Sequence, residues 1–372
     1  MESELQDVNS KPPKQPDPVL DDSPLLKPIT IFASDTDELE NKFAAYVRRD
    51  VYGTMGRGEL PTKEKVLLGV ALVTLVPVRM VVAMALLLLY YLICRVCTLY
   101  SVPNREDEQE DFAHLVGWRR IVIVQCGKAL SRIMLFVLGF YWITQSCRVE
   151  NPTSNEKESK SQPEETGRPG VIISNHVSYV DILYHVSKSF PSFVAKRSVA
   201  KLPLIGLISK CLGCIYVQRE SKTSDFKGVS AVVTERIREA HRNSSAPMMM
   251  LFPEGTTTNG EYLLPFKSGG FLAHAPVLPV ILNYRYQRFS PAWDSISGLR
   301  HVIFLFCQFV NYMEVTELPM YSPSQEEKDN PKLYANNVRR LMSTEGNLIL
   351  SDIGLAEKRI YHSALNGLFS QC

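Results

Sequence analysis

The chain has 372 residues, enough for one sizeable domain or two small ones, and its 45% hydrophobic content is ample for a packed core. Its 41 basic and 39 acidic residues leave a formal net charge of +2, too small to announce a nucleic-acid partner. Eight cysteines at irregular spacings make no disulfide framework.

Residues 1–45 are rich in Asp, Glu, Pro and Ser and hold no apolar core, so they read as a disordered cytosolic tail and not as a signal peptide. Residues 46–100 contain a juxtamembrane segment followed by the most apolar run of the chain, 66–94, interrupted only by Thr74 and Arg79, with Pro77 just before the arginine. Spanning a bilayer takes about 20 apolar residues, and Pro77 with Arg79 leaves legs of roughly 11 and 15. One kinked, tilted span with a snorkelling arginine fits this pattern, and so does a hairpin that returns to the side it entered from. An arginine at mid-depth is costly whereas one at a bend is solvated, which favours the hairpin. Residues 101–118 read as a solvated acidic loop and 119–145 as an interfacial or membrane helix, with Lys128 and Arg132 four apart on one face. A helix buried in a soluble core is the alternative for 119–145. Residues 146–170 read as a flexible linker, which carries no large apolar side chain from Asn151 to Gly170.

From 171 to 350 short apolar runs alternate with helical ones. Strands are expected at Val171–Ser174, Phe193–Lys196, Cys214–Gln218, Met248–Phe252, Val277–Tyr284 and His301–Val310, and helices at Ser178–Ser189, Leu204–Leu212, Phe226–His241 and Pro331–Glu345. That alternation predicts an α/β domain, a largely parallel sheet flanked by helices and preceded by N-terminal membrane-embedded helices. Residues 351–372 are expected to be a C-terminal tail. Cys211 and Cys214 form a lone CxxC that reads as two buried small hydrophobes in preference to a zinc or redox pair, so no metal is expected.

Three breaks in this pattern carry chemistry. The first, Ser174 to Asp181, puts Asn175 and His176 on a loop at the carboxyl end of a strand, where ligand sites of α/β sheets gather. Folded back, that loop brings His176 to Asp181 as a base with its orienting carboxylate. The plainer alternative is a Ser178–Asp181 helix cap, and His185, four residues after Asp181, competes for the carboxylate as a surface pair. The second, Leu251 to Gly260, also follows an apolar run. Its Glu254 suits a hydroxyl-bearing head group, and Gly255 with the following threonines offers amides and hydroxyls to a phosphate; a simple Pro-Gly turn is the alternative. The third, Gly213 to Glu220, ends its strand with Arg219, a fork-shaped phosphate donor. Around it Lys196, Arg197, Lys201, Lys210, Lys222 and Lys227 form a basic patch suited to anionic lipid head groups or a polyphosphorylated cofactor.

These blocks resemble the glycerolipid acyltransferase superfamily: Asn175-His176 with Asp181 its NHxxxxD motif, Gly213 to Arg219 its second block, Phe252-Pro253-Glu254-Gly255-Thr256 its third, and Ala275 to Leu282, with Pro279, its fourth. The likeness to the plant lysophosphatidylethanolamine acyltransferases of the shorter kind runs over nearly the whole chain. The resemblance implies a lysophospholipid acceptor, acyl-CoA as co-substrate with no permanently bound cofactor, contact with membrane lipids, and a place at the endoplasmic reticulum. It implies His176 as general base, Asp181 as its orienter, Arg219, Glu254, Gly255 and Thr256 as the acceptor-binding set and Lys196 as a phosphate contact. Asn175, Gly213, Phe252, Pro253 and Pro279 would support the motifs. Many relatives carry Arg-Ser where this chain has Thr257-Thr258, and the lost charge would disfavour lysophosphatidic acid. A 1-acylglycerol-3-phosphate acyltransferase is the nearest alternative, and a non-catalytic lipid-binding protein the alternative of another class.

Overall fold

The computed structural model describes residues 36–106, 109–148, 168–217 and 224–370. Arg219, Lys222, most of the expected N-terminal tail and most of the 146–170 linker lie outside that set. A seven-stranded sheet is built from β1 (Ile143–Cys147), β2 (Val171–Ser174), β3 (Ser192–Lys196), β4 (Ile215–Val217), β5 (Met249–Leu251), β6 (Val277–Asn283) and β7 (Met313–Glu317), in the order β1-β7-β6-β2-β5-β3-β4. β6, β2, β5, β3 and β4 are mutually parallel; β7 opposes β6, and β1 runs with β7 at the far edge.

Alternation along β2 shows how the two faces are covered. Ile172 packs into a core with residues of α1 (Thr62–Cys97), α2 (Gly117–Val137) and α3 (Val180–Lys188), among them Tyr90, Ile123 and Tyr184. Val171 and Ile173 point the other way, into a core with Val233 and Ile237 of α4 (Ser224–Arg242) and Val338 and Met342 of α5 (Pro331–Gly346). A strand covered on both faces is apolar throughout, and all four residues of β2 are buried.

Four expectations are corrected here. The apolar run 66–94 is no hairpin: α1 is one helix of 36 residues that continues through Pro77. Arg79 needs no bend to reach water, because its guanidinium is buried and donates to the carbonyls of Phe306 (2.9 Å), Gln308 (2.5 Å) and Phe309 (3.1 Å). Those carbonyls close the segment His301–Val310, expected as a strand, which is mostly helix (Gly298–Cys307, α6); the strand comes after it, as β7. A continuous apolar run fits a buried strand or a helix equally well, and here His301 and Leu305, four apart on the helix, are both fully buried. The loop 101–118 is not simply solvated, since Asn104–Glu106 pairs with Gln109–Asp111 and buried Asp111 receives bonds from Arg236 (2.5 Å) and the Ala113 amide (2.8 Å). The expected helix 119–145 stops at Val137; Arg132 turns back to the carbonyls of Phe140 and Tyr141, and Ile143 begins β1.

Both ends of the described chain are folded. The helix α7 (Leu355–Ser370) occupies the expected C-terminal tail, and its buried Tyr361 and Leu365 form a third core with Leu39, Phe43 and Tyr46 from before α1. The rings of Phe43 and Tyr361 stack at 5.2 Å.

Candidate active site

β2 and β5 are parallel neighbours, with Ile173 opposite Leu251, so the loops that leave their carboxyl ends emerge side by side. The two loops are joined directly: the His176 amide donates to Glu254 Oε1 at 2.7 Å, and the Thr258 amide to the His176 carbonyl at 3.0 Å. Glu254 is fully enclosed, with Oε2 accepting from the Leu264 amide at 2.8 Å. Burial pushes its pKa up to about 8, against the pull of those two amides and of Arg339.

Asn175 carries the ladder one step beyond β2. Ser174 lies opposite Val280 of β6, and the Asn175 side chain then takes the place of a backbone unit, donating to the Leu282 carbonyl (2.9 Å) and accepting from the Leu282 amide (2.8 Å). Only a side-chain amide offers donor and acceptor in that pairing. The main chain is thereby free to turn away from the sheet at His176.

Asp181 is completely buried and bonds to four donors. Its Oδ2 accepts from His176 Nδ1 (2.9 Å) and from the Val177 and Ser178 amides (2.8 and 2.9 Å), while Oδ1 accepts from the Tyr284 hydroxyl at 2.5 Å. The capping alternative and the catalytic one are therefore both represented in a single carboxylate: Asp181 ties down the turn before α3 and also orients the imidazole. The Ser178 hydroxyl, in contrast, accepts from the Val180 amide at 3.4 Å, its one such bond among the described residues. With Nδ1–H turned to Asp181, the lone pair of His176 lies on Nε2, which bonds to none of the described residues; the side chain keeps 18% exposure. Phe252 stacks on the ring at 3.9 Å and 14°, which fixes its plane.

His185 is not the surface partner of Asp181. It is buried against Phe252 and Tyr184, its Nε2 bonding to none of the described residues, and burial lowers its pKa to about 4.

The remaining expected residues separate by position. Gly255 closes a turn with its amide on the Phe252 carbonyl (3.1 Å) at φ +74°, and a Cβ there would lie 3.2 Å from Lys267 Cε. Thr256 follows, half-buried, and Pro253 is buried beneath them with its carbonyl receiving the Lys267 amide at 2.9 Å. Lys196, exposed, ends β3 on the same sheet edge but two strands from β2. Gly213 lies at the opposite edge, before β4, where a Cβ would come within 2.9 Å of Ala113 and Ser192, so it serves packing. Pro279 is buried in β6 opposite Ile173. Arg219 falls outside the described residues, two positions past Val217.

Thr257 changes the inference drawn from its sequence. Its hydroxyl donates to the Trp293 carbonyl (2.5 Å), and its carbonyl and hydroxyl accept from Lys358 Nζ (2.7 and 2.8 Å). The side chain is buried beside a cation supplied by α7, so a charge missing at position 257 is no argument about the acceptor head group. Tyr284, Lys267, Trp293 and Lys358 were not among the expected site residues. Tyr284 follows β6 directly, and the carboxyl-end rule that singles out His176 and Glu254 also points to it.

A family model described as "Acyltransferase" matches residues 149–283. The chain is 62% identical to the lysophospholipid acyltransferase LPEAT1 of Arabidopsis thaliana, over 100% of this chain and 98% of that one. It is 34% identical to lysophosphatidylcholine acyltransferase 1 of Homo sapiens over 76% of this chain, and 30% identical to the lysophospholipid acyltransferase LPEAT2 of Arabidopsis thaliana over 67% of it. It spans 49% and 44% of the lengths of those two relatives.

Proposed function

The chain belongs to the acyltransferase family, and from that premise we propose that it is a membrane-bound lysophospholipid acyltransferase that moves a fatty acyl group from acyl-CoA to lysophosphatidylethanolamine, and to lysophosphatidylcholine as a second acceptor. The observation that carries the chemistry is the imidazole of His176, held by Asp181 at 2.9 Å and joined through its own amide to Glu254 at the neighbouring strand end. Nε2 removes the proton from the free glycerol hydroxyl as that oxygen attacks the thioester carbonyl; Asp181 stabilises the imidazolium. The carbon–sulfur bond then breaks and the proton passes from Nε2 to the departing thiolate. No acyl-enzyme forms, because the hydroxyl attacks the donor directly. Gly255 and Thr256 form the corner at which the acceptor sits, with Lys267 beside it and Glu254 enclosed behind it, tying the corner to the His176 turn; Lys196 takes phosphate, and Arg219 keeps the acceptor-binding role that the resemblance implies. A lysophospholipid acceptor is supported by the 62% identity to the lysophospholipid acyltransferase LPEAT1, and the ethanolamine preference rests on the sequence resemblance.

Membrane attachment is supported by α1, whose outward residues Val66, Val70, Val73, Val81, Met84, Leu88 and Leu92 are exposed. The helix is docked at both ends: Glu64 pairs with Arg288 (2.8 Å) near its start, and Cys94 and Cys97 are buried near its finish. Docked over roughly 54 Å at ~1.5 Å per residue, the helix lies along the bilayer surface with its outward face in one leaflet. Unpaired cysteines suit a catalytic domain on the cytosolic side of the endoplasmic reticulum.

The test is microsomes carrying the protein, supplied with one labelled acyl-CoA and, in turn, lysophosphatidylethanolamine, lysophosphatidylcholine and lysophosphatidic acid. Label is expected in the first two products; His176→Ala abolishes it and His185→Leu retains most. Transfer to lysophosphatidic acid alone would overturn the acceptor assignment, and equal losses from both histidines would overturn the base.

A further inference from the structure

Lys358 lies on the second turn of α7 and is buried, and its ammonium has three acceptors for its three donors: the Thr257 carbonyl (2.7 Å), the Thr257 hydroxyl (2.8 Å) and the Trp293 carbonyl (3.3 Å). The Tyr46 ring lies 5.3 Å from Nζ. No carboxylate among the described residues lies within ion-pair distance of it. A cation buried without a salt-bridge partner is costly, and an apolar residue of the same length serves simple helix packing better. What the lysine does that an apolar residue cannot is to hold two loops at once. Thr257 sits one residue before the Thr258 amide that donates to the His176 carbonyl, and the Trp293 amide donates to the Val177 carbonyl at 2.8 Å. Both loops held by Lys358 therefore grip the turn that presents His176.

The loop around Trp293 is fixed from its other side by Arg48, which donates to the carbonyls of Ser290 (3.1 Å) and Ala292 (2.6 Å) and pairs with Asp294 at 3.2 Å. Arg48 precedes α1 and Lys358 follows the sheet, so the ends of the folded chain meet behind the catalytic turn.

We propose that Lys358 is a positioning residue for the acyl transfer, bracing the Glu254–Thr258 turn against the Trp293 loop so that the His176 turn keeps its shape. The proposal rests on the acyltransferase reading for its kinetic test and on geometry alone for its exchange test. Burial draws the Lys358 pKa down to about 8, while Asp294 and Glu254 pull it back, so the ammonium form that makes all three bonds prevails at neutral pH.

The experiment is a double-mutant cycle in the full chain, Thr257→Val and Lys358→Met, with kcat and KM measured for both substrates. Loss of a charged hydrogen bond predicts that Lys358→Met lowers kcat by about 10-fold or more and Thr257→Val by about fivefold, with KM within about twofold. The double variant is expected to be no slower than Lys358→Met alone, since both changes break one brace. Lys358→Met is also expected to speed hydrogen exchange in the peptides carrying the Thr258 and Trp293 amides. Additive losses, or unchanged kcat and exchange in a folded Lys358→Met, would overturn the proposal. If Lys358→Met does not fold, Thr257→Val decides: an unchanged kcat in that mild variant overturns it. An inactive wild type would defeat the functional reading and leave the exchange result to judge the brace.

Discussion

Three of the four donors on the Asp181 carboxylate come from its own turn, and the fourth, the Tyr284 hydroxyl, comes from the end of β6. The local three set where Oδ2 lies; the distant one fixes Oδ1 and with it the rotation of the carboxylate plane on which the His176 ring depends. Tyr284→Phe keeps the packing against Phe140 and removes only that hydroxyl. A hydrogen bond to a charged group is worth roughly 1.5 kcal/mol or more, so kcat is expected to fall about 10-fold with both KM values little changed. Asp181→Asn presents the wrong partner to Nδ1 and is expected to cost about a thousandfold or more. Steady-state rates of the two variants, on protein with an unaltered melting curve, check the order; a Tyr284→Phe enzyme at full rate would remove Tyr284 from the site.

At the scale of elements, α1 is secured to the domain by a charge in the middle of an apolar helix. Arg79 reaches the last carbonyls of α6 and the segment after it, where the negative end of that helix gathers. Arg79→Met strands those carbonyls, at a cost of at least about 2 kcal/mol. The detergent-solubilised variant is expected to melt about 4 °C or more lower than the wild type, and an unchanged melting temperature would show that the arginine is not the tie. This contact also explains what the sequence could and could not reveal. Proline and arginine in a greasy run look like a bend as long as water is the only known partner for the charge; the partner lies 227 residues away, at Phe306. The strands β2 and β5 were legible because turn residues bound them and their apolar runs are short. His301 to Val310 was not, because an unbroken apolar run has no period to read. In the site, His176, Asp181 and Glu254 were legible from their place after strands. Lys358 and Arg48 were not, since nothing in their own neighbourhoods distinguishes them from surface charges.

For the molecule as a whole, the contact between the two ends of the described chain limits how α1 can meet a bilayer. Residues before α1 bond to residues of the catalytic domain after it: the Asn259 amide donates to the Ala45 carbonyl at 2.9 Å, its side chain to Ala44 and Val47, and Arg48 pairs with Asp294. A single crossing by α1 would put those partners on opposite faces of the membrane, and burying Arg48 with one partner missing is a penalty no folded chain accepts lightly. On the proposed membrane attachment, the segment before α1 and the catalytic domain are therefore expected on one side, with α1 against the surface between them. Cysteine-reactive or protease-cleavable tags placed at the two termini of the chain are expected to be equally accessible in sealed microsomes and equally accessible after permeabilisation. A tag at one terminus that becomes reactive only when the membrane is opened would mean that α1 crosses, and that the Arg48–Asp294 contact forms in no membrane-bound state of the protein.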